Sequence, residues 1–196
     1  MEEFTDFVLT RLPPAPARVI EIGCGDAGGL VPVLVDAGYD AIGVDPRAPE
    51  GERFRQVDFR EIGGEFDAAV AGRVIHHLTP LDDAVDHLAS LAPLLVVDEF
   101  AWDIIDPGLQ AWYDAERSRR PEAAGPPDIE QWRWRHPGLH PHDLLLAGLR
   151  ARYDEQTLEW VPYFHHWLGE VESPDRIGYR WAGARTSTTR SAVSSL

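Results

Sequence analysis

Glu21, Gly23, Gly25, Gly28 and Asp45 have the types and spacing to do chemistry. They lie in RVIEIGCGDAGGLVPVLVDAGYDAIGVD, residues 18–45. The glycines of GCGDAGG let backbone come close to a ligand. Asp45, twenty positions after Gly25, can accept hydrogen bonds from ribose hydroxyls. Together these residues read as a nucleoside-binding turn. Gly23, Gly25 and Gly28 also satisfy G-x-G-x-x-G, the dinucleotide fingerprint. Glu21, two residues before Gly23, argues against a dinucleotide. A diphosphate at a helix N-terminus is an anion on bare N–H groups, and a neighbouring carboxylate repels it. The same carboxylate suits a cationic ligand that carries an ammonium group.

Strand, turn, helix and strand must hold these groups. RVIEI is a short run rich in β-branched residues, as a buried parallel strand is. LVPVLVDAGY is apolar enough for a helix packed on a sheet, with Pro32 where a first turn tolerates it. AIGVD is a second strand ending in Asp45. The E-x-G-x-G turn resembles motif I of class I S-adenosylmethionine-dependent methyltransferases. Ala27 stands where that family often has a third glycine, and the family takes small residues there. The resemblance implies S-adenosyl-L-methionine as cofactor, held by Glu21, Gly23, Cys24, Gly25, Gly28, Asp45 and Pro46. It also implies an α/β Rossmann-like fold. The expected sheet is seven-stranded and mostly parallel, with helices on both faces, the last strand antiparallel and a helical cover from the C-terminal half.

Two further segments extend the resemblance. Asp58 and Phe59 follow a third strand, about residues 53–57. In the family an acid there bonds the adenine amino group and its neighbour packs on the ring; a helix-capping aspartate is the alternative. EFDAAVAGRVIHHL, residues 65–78, resembles motif IV. It implies that Gly72 and Arg73 line the methionine part of the cofactor. His76 and His77 come next, and a histidine there is a natural general base near neutral pH, or a packing or capping group. GLHP at 138–141 and EWVPY at 159–163 resemble small bacterial members of unassigned substrate, so the likeness spans about residues 18–186. His140 is a further candidate for catalysis.

The rest of the chain fits one domain over residues 1–186, with a Ser/Thr-rich flexible tail at 187–196. Phe4, Phe7, Val8 and Leu12 follow helical spacing. PLDDAVDHLASL reads as a helix with acids in its first turn. LAPLLVVDEF reads as a fifth strand that ends in Asp98 and Glu99, and a helix is expected at 106–119. Only seven residues separate Asp58 from Phe66, so the helix usual there shrinks to a turn or so. RPEAAGPPD is an exposed connector. Two short helical pieces then flank HPGLHP, and the sixth and seventh strands follow.

Composition narrows the partners. Acids outnumber bases 33 to 18, giving a net charge of −15, and no basic cluster forms. Nucleic acid and anionic membranes are therefore poor substrates. The chain has no lysine, which excludes Schiff-base chemistry and a Gly-Lys-Ser/Thr phosphate loop. The single cysteine excludes an internal disulfide and suits a reducing cytoplasm. Cys24 is either a reactive thiol or a small group lining a pocket. His136, His140 and His142 have a spacing that could suggest metal ligands, but Pro and Gly interrupt them and no cysteine joins them, so no metal is expected. His165 and His166 read as packing or cleft residues. Of seven tryptophans, five lie from Trp112 to Trp167, as an aromatic acceptor pocket or a small core under a cover.

The sequence thus describes methyl transfer from S-adenosylmethionine to a small-molecule acceptor by in-line displacement. Two alternatives share the glycine motif: a non-catalytic S-adenosylmethionine-binding regulator, and an NAD-dependent oxidoreductase.

Overall fold

The computed structural model describes residues 2–185. In chain order the elements are α1 (Glu2–Leu9), β1 (Arg18–Ile22), α2 (Val31–Asp36), β2 (Asp40–Val44), β3 (Phe54–Arg55), β4 (Ala68–Gly72), α3 (Leu81–Leu91), β5 (Leu94–Phe100), α4 (Pro107–Arg119), α5 (Ile129–Arg135), α6 (His142–Arg150), β6 (Asp154–Val161), α7 (His165–Leu168) and β7 (Gly178–Ala184). Short 3₁₀ turns lie at Phe59–Glu61, Ile75–His77 and Trp102–Ile104. The expected tail, 187–196, lies outside the described residues.

One seven-stranded sheet runs β3-β2-β1-β4-β5-β7-β6. β1 pairs parallel with β2 and β4, β2 with β3, and β4 with β5. β7 alone is reversed, antiparallel to both β5 and β6. Strand order therefore turns back between β1 and β4, and ligands of open α/β sheets bind at the carboxyl ends beside such a point.

Alternation along the strands sorts the core into two faces. Val19, Val70 and Val96 pack with Phe7, Val8 and Leu34 of α1 and α2. Ile20, Ala69 and Val97 pack with Leu88 of α3 and Leu145 of α6. A third cluster, from Phe100 through Tyr113, Ile129 and Phe164 to Ile177, forms the C-terminal cover. Its connecting loop is knotted by Asp175. That buried carboxylate accepts from the N–H groups of Tyr163 (2.6 Å), Phe164 (3.2 Å) and Ile177 (3.3 Å) and from the Ser173 hydroxyl.

β3 is two residues long where five were expected. Its exit is cut short by a capping box at Asp58, and the preceding PRAPEGE cannot extend. α4 begins at Pro107 because Asp106 is its N-cap, accepting from Leu109 N–H at 2.9 Å.

Candidate active site

The acid that heads the glycine turn is used by the chain itself. Glu21 lies on the α2 face of β1, and its Oε2 accepts from the N–H groups of Leu30 (2.7 Å) and Val31 (3.1 Å). Leu30, the N-cap residue of α2, supplies no side-chain cap, so Glu21 caps that helix from a neighbouring strand. Gly29 permits the approach, since a Cβ there would collide with the carboxylate. Burial lifts the Glu21 carboxyl to about 7, outweighing the two N–H bonds that favour its ionised form. The sequence reading has Glu21 face a cationic ligand; in the structure its Oε2 is engaged by α2. The N–H groups that a diphosphate would use already hold the chain's own carboxylate.

Cys24 is turned onto Gly43 and Val31, where only a glycine leaves room for its sulfur. Burial, then the Glu21 and Asp45 carboxylates, push its thiol up to about 12. It is a packing group, and only its backbone can face a ligand. Gly28 is likewise filled, by the Phe54 ring. Gly25 differs: its φ is +64° and the space about its Cβ position is open. Its N–H donates to Asp45 Oδ2 at 3.2 Å, and Arg47 N–H donates to Oδ1 at 2.7 Å. The Asp45 carboxylate, delivered by the end of β2, thus arches over the turn, with exposed Pro46 behind it.

Asp58 caps the following turn, accepting from Arg60 N–H at 2.9 Å while Glu61 accepts from its own N–H at 3.2 Å. Phe59 is buried in the core against His87, ring centres 5.6 Å apart. The capping role is the one in view for Asp58, and the Phe59 ring has no free face for an adenine.

The loop after β4 joins the glycine turn to β5. Val74 fills the Cβ position of Gly23. Gly72 lies under Phe4 of α1. Arg73 N–H donates to Asp98 O at 2.6 Å. His76 is 3% exposed and its Nδ1 lies 2.6 Å from Glu99 Oε2, while Glu99 Oε1 accepts from Ile75 N–H (2.6 Å) and His76 N–H (3.3 Å). Glu99 is itself 1% exposed. It was visible in the sequence as a strand-terminal acid; its pairing with a residue 23 positions away was not. The His77 ring lies tilted against that of His76, centres 4.0 Å apart, and approaches His136 at 6.1 Å. Desolvation, then the neighbouring His76, hold it down to about 4, so it is neutral at pH 7 and a poor base.

His140, a candidate for catalysis in the sequence, is bonded through its ring, its N–H and its carbonyl. Its Nε2 donates to Leu78 O at 3.0 Å and its N–H to His76 O at 3.1 Å, while its own carbonyl accepts from Trp102 Nε1 at 3.0 Å. It clasps the cover to the His76 loop. The other histidines of that run part company. His136 bonds Trp132 O at 2.7 Å and His142 bonds Asp103 at 2.8 Å. Asp103, His142 and Asp143 hold possible ligand atoms within 4.8 Å of one another, but the His142–Asp103 bond and the exposure of Asp143 make this an ordinary cap of α6. The Arg73 charge is among the influences on Asp98, His166 and Tyr163.

Comparison with known proteins agrees with this layout. A family model described as a methyltransferase domain matches residues 1–161. The chain belongs to that family, and its architecture is the class I S-adenosylmethionine-dependent methyltransferase fold; the protein is a methyltransferase. A Pyrococcus horikoshii OT3 protein superposes with TM-score 0.62 at 14% identity, over 94% of this chain and 89% of its own. The magnesium protoporphyrin IX methyltransferase of Synechocystis PCC 6803, solved with bound S-adenosylhomocysteine, gives 0.59 at 18%, over 94% and 81%. An S-adenosylmethionine-dependent methyltransferase of Mesorhizobium loti gives 0.60 at 15%, over 92% and 96%. No curated protein matches the sequence. Among the described residues, no helix is long and apolar enough to cross a membrane.

Proposed function

We propose that the chain methylates a small-molecule acceptor that must lose a proton, with His76 as the group that takes it. The observation that carries this is the 2.6 Å contact between His76 Nδ1 and Glu99 Oε2, in the loop that touches the glycine turn. Glu99 is acceptor-only when ionised, so it takes the Nδ1 hydrogen and leaves Nε2 as the nitrogen that can meet an acceptor. A carboxylate that fixes an imidazole tautomer is the arrangement by which histidine acts as a base elsewhere. His77 and Phe100 enclose the ring, which keeps bulk water away.

The turn suits S-adenosylmethionine. Gly25 leaves open space where backbone must approach a ligand, and Asp45 retains lone pairs for ribose hydroxyls. Gly23, the backbone of Cys24, Pro46 and Gly72 border the same end of the sheet. When bound, that cofactor supplies a methyl group on a positively charged sulfur. The chain's share is to hold the acceptor in line, exclude water and accept a proton. A cytoplasmic setting keeps the single thiol reduced.

The test uses labelled S-adenosylmethionine and a panel of phenols, amines and carboxylic acids. His76→Ala should lower turnover by about 10²–10⁴-fold and leave the S-adenosylhomocysteine thermal shift in place. Unaltered turnover in that variant removes His76 from the chemistry.

A further inference from the structure

Arg73 is the one non-glycine residue with a positive φ (+55°) among the described residues. That region favours glycine, and an arginine there is held against its backbone preference. The hold is visible: its N–H donates to Asp98 O at 2.6 Å, at the carboxyl end of β5. The side chain is exposed, and its guanidinium makes no hydrogen bond or ion pair to any described residue. Buried Asp98 has Arg180 at 3.7 Å, and the charge of Arg73 also acts on it, without closing an ion pair. A strained backbone that holds an exposed guanidinium, with no direct hydrogen bond or ion pair, at the mouth of the site points to a ligand.

We infer that Arg73 receives the carboxylate of an aromatic acceptor, presented between the His76 loop and the C-terminal cover. This rests on the methyltransferase reading and reassigns Arg73 from cofactor to acceptor. Guanidinium and carboxylate match as a fork of two parallel hydrogen bonds. A chain of net charge −15 needs such a local cation to admit an anion at all. The choice of side follows from where the charge falls. The cover packs against the loop that carries Arg73, with His140 N–H on His76 O at 3.1 Å and the His136 ring 6.1 Å from His77, and the Arg73 charge is felt at Asp98 and at Tyr163 and His166 of that cover. The aromatic character comes from the partly exposed rings there. Trp132 lies 4.8 Å from His136 and 5.5 Å from Trp167, and His166 sits 5.3 Å from Tyr163. His77 and His166 are both held neutral at pH 7, His166 down at about 3 through burial first and then Arg73, so neither competes as the cation.

The experiment is a tryptophan-fluorescence titration of the protein saturated with S-adenosylhomocysteine. The probes are para-hydroxybenzoate, salicylate and indole-carboxylate, each against its methyl ester. At least one acid should bind about tenfold more tightly than its ester. Arg73→Gly, which relieves the backbone and so folds at least as well, should abolish that preference, and Arg73→Lys should keep part of it. S-adenosylhomocysteine affinity should change less than twofold in both. Three results overturn the proposal: no acid is preferred by the wild type, Arg73→Gly keeps the preference, or Arg73→Gly weakens S-adenosylhomocysteine but not methylthioadenosine. The last would assign Arg73 to the cofactor's own carboxylate. A wild type that binds no S-adenosylhomocysteine contradicts the underlying reading separately, before any acid is added.

Discussion

Glu21 accepts the N–H of Leu30 at 2.7 Å, from the end of one strand to the start of the helix that follows it. This bond decides what the glycine turn can bind. In a dinucleotide fold the first turn of that helix is where phosphate oxygens settle. Here a buried carboxylate lies across it, and the open position is back in the turn at Gly25, five residues before the N-cap Leu30. A ligand with a nucleoside and no diphosphate fits such a turn.

The Glu21 cap has a testable pH signature. Its carboxyl is raised from 4.5 to about 7 in the folded protein, so the native state holds a proton that the unfolded state has released. Stability from this group is greatest below pH 4.5 and falls as pH climbs to about 7. Asp98, raised to about 6 by burial, acts in the same direction. Glu21→Gln keeps an acceptor for both N–H groups and has no charge to desolvate. Its melting temperature relative to wild type should therefore rise between pH 5 and pH 8, by the equivalent of about 1–3 kcal/mol. Glu21→Ala should be destabilised by about 1–2 kcal/mol at pH 5, as lost helix caps are, and by less as pH rises to 8, because it too lacks the carboxyl. Thermal melts across that range check both.

Glu99 should separate catalysis from folding. Glu99→Ala strips acceptors from the Ile75 and His76 amides and from the His76 ring, all buried, and should cost about 2–4 kcal/mol in denaturant unfolding. Glu99→Gln keeps an acceptor and should fold, yet lower kcat by about 10²-fold or more, with S-adenosylhomocysteine affinity unchanged. Equal kcat in Glu99→Gln and wild type would reduce the pair to a structural contact.

Cys24 should be inert. With its thiol at about 12 and its sulfur packed on Gly43, it should resist iodoacetamide at pH 8 in the native protein and react fully in urea. Mass spectrometry of the labelled chain reads this directly, and rapid native labelling would contradict the packing.

Asp45→Ala should abolish the thermal shift produced by S-adenosylhomocysteine, because the ribose hydroxyls lose their acceptor. The variant should also leave the Gly25 and Arg47 amides without their carboxylate and melt slightly lower. An undiminished ligand shift would move the ribose elsewhere.

The sheet was legible because β1, β2 and β4 are short apolar runs, each closed by a residue that breaks it: Gly23 after RVIEI, Asp45 after AIGV, Gly72 after AAVA. The reversed last strand came from family likeness, since IGYRWAGA carries no mark of its direction. Site chemistry was less legible for a consistent reason. Residue type reveals a carboxylate but not its partner. Glu21 turned out to serve Leu30, Asp58 to serve Arg60, and His140 to serve Leu78. Each of those partners is a backbone group, present at every position and so invisible as a sequence pattern. The Glu99–His76 pair escaped for a related cause, since it joins two strand ends brought together only by the β4–β5 register. Arg73 was marked only by the motif IV likeness, as a cofactor residue; its positive φ cannot be read from an arginine.

Isothermal titration calorimetry of the wild-type chain with S-adenosylhomocysteine and, separately, with NADH tests the central claim most directly. With Glu21 filling the helix N-terminus, S-adenosylhomocysteine should bind with saturating heat at one site per chain and NADH should give none. Saturable NADH binding beside silence from S-adenosylhomocysteine would mean that the carboxylate yields its amides to a diphosphate, and the account would be wrong.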